Sequence, residues 1–174
     1  MQGGVVGTVM SNFGLELALK ERNIPFMRTP VGDRFVHKAL VSNGWTLGGE
    51  ASGHLLCLDR TSTGDGIVSA LQVLEVMVSS GKSLAELVAD VQKLPQTMIN
   101  VPVKGLAVDG LAESETINEA VKSAQHQLGD TGRVVLRPSG TEPLMRVTLE
   151  GKDETLVNLL ATELAEVVRT ELAG

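Results

Sequence analysis

Two arginines, Arg137 and Arg146, enclose a proline, a glycine, two hydroxyl residues and a glutamate in the run RPSGTEPLMR. A guanidinium offers phosphate oxygens a planar fork of N–H donors, and Ser139 and Thr141 add hydroxyls beside it. Gly140 lets backbone N–H groups approach an anion with no side chain in the way. Arg137, Ser139, Gly140 and Thr141 therefore form a candidate phosphate nest. The plainer alternative is a turn between strands, in which Ser139 and Thr141 satisfy the backbone and Arg137 pairs with Glu142. Arg146 falls in the strand that follows, where it either faces the anion or buttresses the loop.

A second group stands in GGEASGH, where Glu50, Ser52 and His54 alternate with small residues. In an extended segment these three side chains project to one side. A carboxylate, a hydroxyl and an imidazole on one face suit a polyhydroxylated or amino-bearing ligand, and of the three histidines only His54 has a plausible neighbouring carboxylate. The alternative is a glycine-rich hairpin whose polar groups are solvated. Asp33 in VGDR and Asp65 in STGDGI each stand beside glycine. A hard cation needs several clustered oxygen ligands, which neither stretch supplies, so no metal site is expected. Both aspartates read as helix-start residues, with Asp33 and Arg34 retaining the option of facing a ligand.

The rest of the chain sets the background for these groups. Its 174 residues are 43% hydrophobic, enough for one large or two small domains. The net charge of −6 offers no basic field for nucleic acid or anionic lipid, so an anion must be held by a local arrangement of donors. From Pro95 onward there are 7 basic and 12 acidic residues, so the arginine-bearing loop works against its own surroundings. Cys57, the single cysteine, lies among leucines and reads as a small buried side chain in a reducing compartment. The N-terminus lacks the features of a signal peptide and no run is long enough to cross a bilayer, so a cytoplasmic location is expected.

Periodicity supplies the elements that must position the two groups. GVVGTVM, IPFMRT, WTLGGE and GHLLCLD read as strands, and NFGLELALKERN and DRFVHKALVSNG as helices between them. A long helix from Thr63 to Ser80 follows, with a broad apolar face and Thr63 or Asp65 as its cap, then a short one capped by Ser83 and Glu86. Leu94-Pro95 is the expected boundary. Beyond it QTMINVPV, GRVVLR and PLMRVTLEG read as strands, with helices over 111–130 and 153–174. The expected fold class is α/β: a mixed-sheet α/β domain over 1–94, then a small α+β domain over 95–174 with an antiparallel sheet and two helices.

Taken together, GVVGTVMSNFGLELAL, VGDRFV, GEASGH, TSTGDGIVSALQVL and LRPSGTEPLMRV resemble, in this order, the C-terminal part of the bacterial phosphoglucosamine mutases of the α-D-phosphohexomutase superfamily. The resemblance covers nearly the whole chain. It implies a four-domain enzyme that interconverts glucosamine 6-phosphate and glucosamine 1-phosphate for UDP-N-acetylglucosamine and cell-wall synthesis. Such an enzyme works through a phosphoserine, a bisphosphate intermediate and Mg2+. Glu50, Ser52 and His54 would then lie on the sugar-recognition loop of the third domain, Glu50 and Ser52 holding sugar hydroxyls and His54 contacting the sugar or assisting proton transfer as the catalytic candidate. Arg137, Ser139, Gly140 and Thr141 would grip the phosphate that is not reacting. The chain contains no Ser-His-Asn-Pro run and no Asp-Gly-Asp-x-Asp-Arg metal loop. The resemblance thus implies a piece lacking the N-terminal domains that would be its partners, its third domain short of an initial strand or helix, inactive by itself and with no Mg2+ ligands. A phosphomannomutase or phosphoglucomutase of the same superfamily, or a non-catalytic phosphate-binding module, are the other readings.

Overall fold

The computed structural model describes residues 3–103, 114–139 and 142–173. The chain divides into two compact units, Met1–Lys93 and Leu94–Gly174.

The first unit is a four-stranded mixed sheet in the order β2-β1-β3-β4. Its strands are β1 (Val5–Thr8), β2 (Phe26–Thr29), β3 (Leu47–Gly49) and β4 (Leu55–Cys57). β1 runs parallel to β2 and β3, as helical crossovers require, and the hairpin return makes β4 antiparallel to β3. Helix α1 (Phe13–Glu21) starts where the Asn12 side chain accepts the Gly14 N–H. Helix α2 (Asp33–Asn43) stops at Gly44, whose left-handed φ of 65° costs glycine nothing. α2 closes one sheet face: Val36 and Leu40 are buried against Val6 and Leu56. A β-carbon at Gly14 would lie 1.8 Å from the Gln92 carbonyl oxygen, so glycine is what allows α1 to approach the end of this unit.

Helix α3 (Gly66–Ser80) is capped by Asp65, which accepts N–H groups from Ile67 and Val68; it begins three residues later than Thr63 because the carboxylate, not the hydroxyl, supplies the cap. Helix α4 (Leu84–Val88) carries the complete Ser83–Glu86 capping box. The apolar face expected for α3 exists, yet none of its residues is fully buried.

The second unit is an antiparallel sheet in the order β5-β7-β6, built from β5 (Gln96–Pro102), β6 (Gly132–Pro138) and β7 (Leu144–Gly151). Helix α5 (Glu115–Leu128) and helix α6 (Glu154–Ala173) pack on one sheet face. In α6 the buried residues Val157, Leu160, Ala161, Leu164, Ala165 and Val168 recur at helical spacing and meet Val147 and Leu149 of the central strand. Each fully buried Val, Leu or Ile contributes about 1.5–3 kcal/mol, which is what fixes the β6–β7 register. The helical reading over 111–130 holds for 115–128; residues 111–113 lie outside the described residues.

Candidate functional site

The register of β6 and β7 decides the chemistry of the arginine-bearing loop. Val134, Leu136, Val147 and Leu149 face the helices, so Arg133, Arg137, Arg146 and Glu150 share the opposite face. On it Arg133 stands directly across from Glu150, and Arg137 directly across from Arg146. The first pair is neutralised internally: Arg133 Nε donates to Glu150 Oε2 at 2.8 Å, with Glu150 only 1% exposed. The second is two like charges on facing positions, an arrangement that destabilises a sheet.

Arg146 donates to Ser139 Oγ at 3.1 Å and to Glu142 Oε2 at 3.2 Å. Glu142 therefore pairs with Arg146 and not with Arg137, because the i,i+4 partner lies on its own side of the connection. That corrects the Arg137–Glu142 pairing of the plain turn reading, and of the two positions open to Arg146 it takes the one that buttresses the loop. The Nε atoms of Arg137 and Arg146 are buried and meet no acceptor among the described residues. Burial, and then the Arg146 charge, push the Arg137 pKa down, so its cationic form is under stress. The loop is closed at its base by Ser139 N–H to the Leu144 carbonyl, 2.8 Å. β6 runs one residue further than expected, to Pro138, which an edge strand tolerates because no ladder N–H is needed there. Gly140 and Thr141 lie outside the described residues.

In the first unit the loops after β1, β2 and β3 leave the same end of the sheet, because those strands are parallel. The chain steps from β1 to β2 on one side and then crosses to β3 on the other. The crevice beyond β1 and β3 is thus the switch point where open α/β sheets receive ligands. GGEASGH occupies this end, but not as an extended segment. Glu50 N–H bonds the His54 carbonyl at 2.9 Å, and Gly53 N–H bonds the Glu50 carbonyl at 3.0 Å with Gly53 at φ 91°. The residues form a tight turn, since a hairpin this short must reverse within them, so Glu50, Ser52 and His54 do not share a strand face. Ser52 is exposed at the turn.

Three loops nevertheless meet there. Glu50 Oε1 accepts the Gly32 N–H at 2.8 Å, tying the turn to VGDR. Gly32 adopts φ 130°, a conformation that side-chain-bearing residues rarely hold. His54 Nε2 stands 3.7 Å from Asp33 Oδ2. A β-carbon at Gly64 would lie 2.0 Å from that same nitrogen, so the imidazole fills the space above a glycine of STGDGI. Asp33 begins α2 and also faces His54, and Asp65 is a cap. Gly64 and Gly32 carried no separate signal; glycine beside aspartate at two helix starts was the available hint. Among the described residues no group of three or more His, Cys, Asp or Glu gathers to hold a metal ion. No helix among them is long and apolar enough to cross a membrane.

Residues 1–94 match the family model "Phosphoglucomutase/phosphomannomutase, alpha/beta/alpha domain III", and residues 98–167 match "Phosphoglucomutase/phosphomannomutase, C-terminal domain". The chain belongs to the phosphoglucomutase/phosphomannomutase family. Within this family it is 59% identical over 97% of its length to phosphoglucosamine mutase of Thioalkalivibrio sulfidiphilus. It is 57% identical over its full length to phosphoglucosamine mutase of Halorhodospira halophila. The chain spans 38% of the length of each of these relatives. A structure of Aspergillus fumigatus N-acetylphosphoglucosamine mutase with GlcNAc-6P and magnesium matches 97% of this chain and 42% of its own, with TM-score 0.79 at 23% identity. A phosphoglucomutase/phosphomannomutase family protein of Burkholderia thailandensis matches 97% of this chain and 37% of its own, with TM-score 0.74 at 16% identity. Both establish a shared fold.

Proposed function

We propose that this chain supplies two ligand-holding parts of a phosphoglucosamine mutase, which interconverts glucosamine 6-phosphate and glucosamine 1-phosphate through a phosphoserine and a bisphosphate intermediate. The observation that carries the reading is the facing pair Arg137 and Arg146, two guanidiniums whose one ion pair among the described residues is that of Arg146 with the exposed Glu142. A phosphate dianion placed against them removes the repulsion and meets the planar forks and the Ser139 hydroxyl. The nest proposed from the sequence also includes Gly140 and Thr141, which lie outside the described residues. In phosphoryl transfer a protein mainly positions and neutralises, so a grip on the remote phosphate orients the reacting end. A clamp made of guanidiniums and hydroxyls accepts either phosphate of a bisphosphate equally.

In the first unit Glu50 is oriented through Oε1 by the Gly32 N–H, leaving Oε2 for a sugar hydroxyl or amine. Ser52 adds a hydroxyl at the turn, and His54, steered by Asp33, contacts the sugar or carries a proton. The Aspergillus fumigatus N-acetylphosphoglucosamine mutase structure holds magnesium beside GlcNAc-6P, whereas among the described residues here no group of three or more His, Cys, Asp or Glu gathers to hold a metal ion. The sequence has no Ser-His-Asn-Pro phosphoserine run, so the chain by itself binds without turning over.

The test is amide NMR of the chain titrated with glucosamine 6-phosphate and, separately, inorganic phosphate. Both ligands should move the Ser139 amide, only the sugar phosphate should move Ser52 and Gly53, and Arg137→Ala should abolish the Ser139 response. No shift at millimolar ligand refutes the reading for this chain.

A further inference from the structure

Glu142 supplies the facing arginines with an anion from the chain itself. Its Oε2 accepts from Arg146 Nη2 at 3.2 Å, and the same nitrogen donates to Ser139 Oγ at 3.1 Å. The carboxylate is thus seated beside the Ser139 hydroxyl, where an oxygen of a phosphate held by Arg146 would bond. Arg137, directly across the ladder, makes no ion pair among the described residues. One carboxylate against two guanidiniums leaves the group cationic. The Glu142 side chain is 57% exposed and that of Arg146 25%, so the contact is a surface ion pair, worth at most about fivefold in an equilibrium constant.

We propose that Glu142 is an internal competitor, which a ligand must displace from Arg146, and that it thereby sets which anions the site admits. This rests on the phosphate-grip reading given above. Four residues from Arg146 and on the same loop, its carboxylate acts at an effective concentration on the order of millimolar. A free monocarboxylate brings the same two oxygens and the same single charge without the tether, so it gains nothing by exchange. A phosphate monoester brings nearly twice the charge and three acceptor oxygens. It bridges Arg137 and Arg146, and the displaced Glu142 side chain, already more than half exposed, passes into water at little cost. The site therefore takes phosphate esters and passes over carboxylates.

The test is NMR titration of the chain with inorganic phosphate and, separately, with acetate at constant ionic strength, following the Ser139 amide in the wild type and in Glu142→Gln. Glutamine keeps the shape and removes the charge. Phosphate should bind the variant about two- to fivefold more tightly. Acetate, at the concentration that saturates the phosphate response, should leave the wild-type amide in place and move that of the variant. Glu163→Gln removes the same charge from an exposed position on α6, the helix on the other face of the sheet, and should behave as wild type. Phosphate binding by the wild type that is unchanged or weakened in Glu142→Gln overturns this inference alone, as does equal tightening in Glu163→Gln. No phosphate response in either the wild type or Glu142→Gln overturns the phosphate-grip reading and this inference with it.

Discussion

Replacing Arg137 with methionine should make the second unit more stable in a buffer without phosphate and less stable in one with it. Methionine keeps most of the stem and removes the charge that faces Arg146 across the β6–β7 ladder. Like charges at facing positions cost roughly 0.2–1 kcal/mol, and Glu142, 57% exposed on its side chain, screens Arg146 only in part. The variant should therefore gain about 0.5–1 kcal/mol, a rise in midpoint of roughly 4 °C for a domain of this size. Phosphate at one hundred times its dissociation constant adds about 2.7 kcal/mol to a protein that binds it and nothing to one that does not, so the order reverses. Trp45 is the only tryptophan and there is no tyrosine, so intrinsic fluorescence reports the first unit alone. The appropriate readout is hydrogen exchange of the Val147 and Leu149 amides in the central strand, in chloride and phosphate buffers of equal ionic strength. A destabilised variant in chloride, or an equal response of both proteins to phosphate, would refute the facing-arginine argument.

Other perturbations separate structure from ligand chemistry. Glu150→Ala leaves Arg133 beside an empty partner position on the sheet and should cost about 3–5 kcal/mol by urea denaturation followed with circular dichroism; a loss under 1 kcal/mol would contradict the buried-pair account. Gly64→Ala places a methyl in the space of the His54 ring. The His54 imidazole resonances should move while the urea midpoint stays close to wild type, and unchanged resonances would mean that the loops do not converge as described. Burial, reinforced by Asp59, raises the Cys57 thiol above its ordinary value of about 9. The folded state thus favours the protonated thiol. Its contribution is whole below pH 9 and is lost as pH rises beyond it, so Trp45-monitored stability should fall from pH 9 upward and Cys57→Ala should flatten that fall.

Local chemistry was legible in the chain alone. Asp65 and the Ser83–Glu86 box start their helices by hydrogen bonds reaching two or three residues, and Gly44 ends α2 through its own φ. The alternation that separates Val147 and Leu149 from Arg146 and Glu150 is likewise a property of one strand. The proposed phosphate-nest residues of the loop come from donor types in a single run. What was not legible depended on which strands lie side by side. Arg137 and Arg146 are nine positions apart, and only the antiparallel register makes them face each other, just as it brings Arg133 to Glu150. Glu50, Ser52 and His54 alternate in sequence, yet the hairpin closes within them and trades a common face for ties to Gly32, Asp33 and Gly64 from two other loops. The apolar periodicity of α3 marked a face without saying that it would stay uncovered. Hydrogen-bond reach and side-chain period act over a few residues and are written in the chain. The packing of distant segments is set by the free energy of the whole unit, and that decided which charges meet and which apolar surface is left open.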